Sequence, residues 1–270
     1  MPDKGTKKKV TRVEGGDASP ATPERETRVF EASAESKGKA KSFRLYALIA
    51  WIVAIGFEAG AIFLLQKPPI RMVWLIVLIV VDLVFAIIGS LLWKKANRFD
   101  PASEKNKVKF FIQSQLGVII SVIAFLPLVI LIFTNKDMNG KQKGIVGAIA
   151  VVAMLIAGVT GIDFNPPSQE QYAAQTSQVE SLTGANTVYW TKAGTRYHLY
   201  SDCPHINTRK TDEIFSGTVA KARELKNISE LCKTCEARAR KDKTLEPGQA
   251  TEPASEPVPA PAAGEEETTD

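Results

Sequence analysis

Four stretches of the chain, residues 43–65, 70–93, 110–133 and 145–164, are almost continuously apolar and are set apart by polar segments. Each holds roughly 20 residues, enough for a helix rising 1.5 Å per residue to cross the hydrocarbon core of a bilayer. None carries the polar stripe, repeating every 3.6 residues, that marks a helix lying on a soluble core. The pattern predicts four transmembrane helices. Pro68 and Pro69 between the first two enforce a tight turn, so these helices should be antiparallel neighbours. Some 42 polar residues precede the first apolar run, which is too long for the apolar region of a secretory signal, so it is expected to stay as an anchor.

Outside these runs the pattern changes character. Residues 1–42 are rich in Lys, Glu, Thr and Ser and hold too little apolar surface to offset the entropy of ordering, which predicts a disordered basic tail. Residues 165–186 read as a polar linker, and 244–270, with seven acids and no bases, as an extended Pro, Ala and Glu tail. Between them, residues 187–243 regain order. Two Thr- and aromatic-rich runs around Val188 and Tyr197 flank Gly194, the pattern of a β-hairpin with glycine at a positive-φ turn position. Val219, Ala222 and Leu225 then recur at helical spacing after a capping-type start at Ser216. The fold class expected is a four-helix membrane protein with a small α+β module and disordered termini.

Charge adds orientation. Basic residues are dense in the flank at the start of the first apolar run (Arg28, Lys37, Lys39, Lys41, Arg44) and in the second connection (Lys94, Lys95, Arg98, Lys105, Lys107, Lys109), and sparse in the first and third. By the positive-inside rule both termini are cytoplasmic and the protein is a multi-pass component of the cell membrane. The basic flanks are placed to meet anionic headgroups, although topogenesis alone accounts for them.

All three cysteines and both histidines fall within one short segment, as His198, Cys203, His205, Cys232 and Cys235. Three cysteines cannot pair off internally, and Cys232 and Cys235 are spaced to present two sulfurs to one ion. With Cys203 and His198 they make a closed Cys3His tetrahedron, the shell of a structural zinc; His205, two residues beyond Cys203, is the alternative fourth ligand. A module of about 55 residues buries too little surface to be secure without such a staple. The competing reading of the CxxC is a redox dithiol, which would open a helix.

The residues Val188, Tyr189, Trp190, Tyr197 and His198, then Cys203, the Gly217–Ala222 segment and the CxxC resemble the small Ada-type metal-binding modules at the ends of diverse bacterial proteins. The resemblance covers about 50 residues and implies a hairpin-plus-helix zinc fold, with Cys203, Cys232 and Cys235 matching three ligands. His198 stands where the Ada repair protein has its methyl-accepting cysteine, so the resemblance implies fold and metal but not methyl transfer.

The sequence leaves two further chemistries open. Residues 192–243 hold twelve Lys or Arg against seven Asp or Glu, which could attract nucleic acid. Glu58 and Asp82 are carboxylates inside apolar runs, and with Gln113 and Gln115 could line an ion or proton pathway; the alternative is interhelical hydrogen bonding in a bundle packed through Gly56, Gly60, Ala153, Ala157 and Gly161. No Ser/His/Asp constellation, phosphate-binding glycine loop or HExxH motif occurs, and an enzyme is not expected. The sequence therefore predicts a non-enzymatic membrane protein holding a zinc module, with a protein partner, in the cytosol.

Overall fold

The structure, a computed structural model, describes residues 9–13 and 30–245. Four long apolar helices form a bundle: α1 (Ala34–Leu65), α2 (Met72–Phe99), α3 (Lys107–Thr134) and α4 (Gly140–Gly161). All four are long and apolar enough to cross a membrane. Their starts are fixed by side-chain caps: Ser33 accepts from the Ser36 amide, Asn106 from that of Lys109, and Asn139 with Gln142 forms a reciprocal capping box. α2 packs against each of the other three. Large apolar side chains such as Ile52, Val73, Phe111 and Val159 point outward and are exposed, the surface that lipid would cover.

The closest helix crossings lie away from Gly56 and Gly60. A Cβ added at Gly56 would meet nothing within 4 Å, and one at Gly60 only the tip of Leu78 at 3.9 Å. Gly161 instead abuts the backbone of α3, where a Cβ would fall 2.6 Å from Val118 N and 2.7 Å from Gly117 C. Gly89 makes room for the Trp51 indole, 2.4 Å from where a Cβ would stand. Ala153, Ala157 and Gly161 are buried along α4 as the small-residue pattern predicts.

Beyond the bundle come α5 (Gln169–Thr183), β2 (Val188–Thr191), β3 (Arg196–Tyr197), β4 (Glu213–Gly217), α6 (Val219–Lys226), β5 (Glu230–Leu231) and α7 (Lys233–Leu245). A strand from the N-terminal segment, β1 (Lys9–Arg12), completes a three-stranded sheet of order β1-β4-β2, parallel between β1 and β4 and antiparallel between β4 and β2. β3 and β5 pair in parallel, with Tyr197 opposite Leu231.

Several of these elements differ from the sequence expectation. Residues 165–186 are not a released linker: α5 starts at Ser168, whose hydroxyl accepts from the Gln171 amide, and stops at Gly184, left-handed at φ 73°. Tyr172 and Val179, two turns apart on one face, are its buried residues, and this sparse pair was too weak a stripe to stand out among Gln and Ser. Residues 9–12 and 34–42, expected within a disordered tail, form β1 and the first turns of α1. The hairpin is a single pair, Tyr189 with His198, joined by two reciprocal 2.7 Å backbone bonds, while the main partner of β2 is β4. Gly194 does not adopt positive φ; a Cβ there would stand 2.8 Å from Thr191 Oγ1, which would have to turn aside. The Ser216 start gives way to β4, and α6 is capped by Thr218. The acidic tail from residue 246 onward lies outside the described residues.

Candidate metal centre

His198 follows β3, Cys203 lies in the next turn, and Cys232 and Cys235 enter at the start of α7. One ligand atom from each lies within 4.8 Å of every other, and all four residues are buried. His198 Nδ1 stands 3.3 Å from Cys203 Sγ and 3.6 Å from Cys235 Sγ. A tetrahedral ion with Zn–N and Zn–S bonds of ordinary length would set that nitrogen–sulfur edge at about 3.6 Å. The cluster could thus hold a metal ion with little movement. His205 is not part of it: its ring is exposed, with Nε2 3.0 Å from Thr234 Oγ1 and its centroid 6.5 Å from that of His198.

The surroundings suit metal binding. Burial, then the positive charge of Arg196 and the neighbouring His205, pushes the His198 imidazole down to about 4, so it keeps a free lone pair at neutral pH. Burial pushes the Cys235 thiol up to about 12, disfavouring a bare thiolate in its apolar pocket. For Cys232 burial acts the same way but is outweighed by the amides of Cys235 and Thr234, which donate to its sulfur and hold the thiol below its ordinary value. The CxxC does open a helix, as a dithiol would. A third cysteine and an imidazole at coordination distance distinguish this site from a dithiol.

The cysteines belong to the module's core. Cys203, Cys232 and Cys235 pack with Trp190, Tyr197, Ile214 and Val219, and Val179 of α5 is part of the same cluster. The outer face is salt-bridged: Arg196 to Glu230, Arg238 to Asp202 and Arg240 to Glu236, while Lys221 pairs with Glu224 in the interior. Four of the module's twelve cations are thus paired within it, which leaves its modest excess of positive charge unchanged.

Polar contacts fasten the module to the bundle. Tyr172 is fully buried, with its hydroxyl donating to Arg98 O at 2.7 Å and its ring 4.6 Å from the Arg223 guanidinium. Arg223 also donates to Gln175 and Gln171 of α5, and Ser36 of α1 donates to Glu224 at 2.7 Å. The α2–α3 connection joins in, as Gln169 N donates to Ala102 O and Glu104 N to Glu170. These residues were missed in the sequence because none has distinctive spacing.

Glu58 and Asp82 lie inside the bundle, buried, with Glu58 Oε1 and both Asp82 oxygens lacking a hydrogen-bond partner. Gln113 and Gln115 are not beside them. They tie helix ends together near the module, Gln113 through Asn97 and Asp100, Gln115 through Asp163. No family model, curated protein or solved structure matches the chain, so the Ada-type resemblance rests on the residues that carry it.

Proposed function

We propose that this chain is a non-enzymatic, multi-pass protein of the cell membrane in which a structural zinc ion, held by His198, Cys203, Cys232 and Cys235, stabilises an Ada-like cytosolic module. The observation that carries the reading is the convergence of four buried ligand atoms within 4.8 Å in a module fastened to a bundle of four apolar helices. The module is a fixed platform and not a domain on a tether. Its outward loop, residues 204–210, is largely exposed beside the metal site and is the face offered to a cytosolic protein partner. Elemental analysis of the purified full chain should find one zinc per chain. His198→Ala should weaken binding by at least about a hundredfold, as losing a ligand costs more than losing its outer-shell support, and His205→Ala should leave it unchanged. A metal-free wild-type chain, or equal loss in both variants, would overturn the assignment.

A second reading, ion- or proton-coupled transport, is favoured by the unpartnered oxygens of Glu58 and Asp82 between α1 and α2. Ser90 Oγ and Trp51 Nε1, also buried without partners, lie on the same two helices nearer the module. Under this reading, proteoliposomes holding a pH dye should show proton flux that Asp82→Asn abolishes. Vesicles no leakier than protein-free ones would remove it.

A further inference from the structure

A cavity of about 690 Å³ opens between α1, α2 and α3 at the module end of the bundle. Arg44, Trp93 and Lys109 line it together with Val108, Ile112 and Leu116. Arg44 is the second residue of the first apolar run, and Lys109 directly precedes the third, so both cations stand at headgroup depth of one leaflet. Ile112 and Leu116, one helical turn apart, continue the wall along α3 toward the bilayer centre. A cationic mouth above an apolar groove is the outline of a lipid.

The charge balance selects the kind of lipid. Arg44 is engaged by Asp100, its Nη1 donating to Oδ2 at 2.8 Å and its Nη2 to the backbone oxygen at 2.9 Å. The Lys109 ammonium has no ion-pair partner among the described residues. The Trp93 indole is already held by its N–H, which donates to Gln113 O at 2.8 Å, so its ring forms a fixed wall that Arg44 approaches to 5.9 Å. We infer that this cavity binds one anionic phospholipid, its phosphate beside Lys109 and Arg44 and an acyl chain along Ile112 and Leu116. Basic pockets between transmembrane helices on the cytoplasmic side suit such headgroups. The inference rests on the membrane reading but not on the metal.

The test uses the full chain in detergent, titrated with phosphatidylglycerol, phosphatidylcholine or inorganic phosphate, with bound molecules counted by native mass spectrometry. One phosphatidylglycerol should be retained in preference to phosphatidylcholine, and inorganic phosphate should not displace it. Lys109→Ala should reduce phosphatidylglycerol retention by about fivefold, the effect of one surface cation, and leave phosphatidylcholine unchanged. Lys226→Ala, an exposed lysine on α6 of the module, should change neither. Equal retention of the two lipids, displacement by phosphate, or a preference untouched by Lys109→Ala would each overturn the proposal.

Discussion

Cys235→Ser is expected to empty the metal site and unfold the module while leaving the four-helix bundle intact. Structural zinc contributes an apparent 10–16 kcal/mol, roughly, to small zinc-finger folds. Stabilities of whole domains are about 5–15 kcal/mol, so a module this small should not survive the loss. The three sulfurs are buried in its core, and without the ion they crowd one imidazole with nothing to hold them together. Chelation of the wild-type protein should have the same result. Limited proteolysis checks both: cleavage should appear within residues 187–243, and helical content from the bundle should persist. A protease-resistant, metal-free module would show that packing alone holds it.

Tyr172→Ala should produce a different failure, in which the module stays folded and metal-loaded but comes away from the bundle. Truncating a fully buried aromatic costs about 3–5 kcal/mol. Here it also removes the ring beneath the Arg223 guanidinium and the bond to Arg98 O. Tyr172→Phe keeps the ring and should cost only about 1 kcal/mol for the lost hydrogen bond. Proteolysis around residues 165–186, with zinc content unchanged, is the signature expected for the alanine variant and not for the phenylalanine one. If zinc is lost together with docking, the two are a single cooperative unit.

Much of this architecture was legible in the sequence, and the reasons differ by element. The four apolar helices are written in long runs that no other structure can use in lipid. The clustering of candidate ligands was legible because cysteine and histidine occur nowhere else in the chain. Of the two histidines, His198 lies in the buried cluster beside the Tyr189 pair, whereas His205 stays exposed on Thr234. α5 was illegible, as only Tyr172 and Val179 mark its buried face. β1 was illegible for another reason: Val10 is its single apolar side chain, and its order comes from a partner some 200 residues away. Contacts such as Ser36 with Glu224 and Tyr172 with Arg98 join residues too ordinary to announce themselves.

The pairing of β1 with β4 has a consequence for how the protein is made. Lys9 and Val10 leave the ribosome about 200 residues before Glu213 and Ile214, which they face. Domains fold as units during synthesis, N-terminal parts first. This strand must instead wait until all four helices of the bundle have been made before its edge exists. Because it joins so distant a partner, its docking should be the slow, last step of assembly. A strand drawn from the N-terminal segment thus closes a sheet built from residues 188–217, and a polypeptide stalled before residue 213 would hold β1 unpaired.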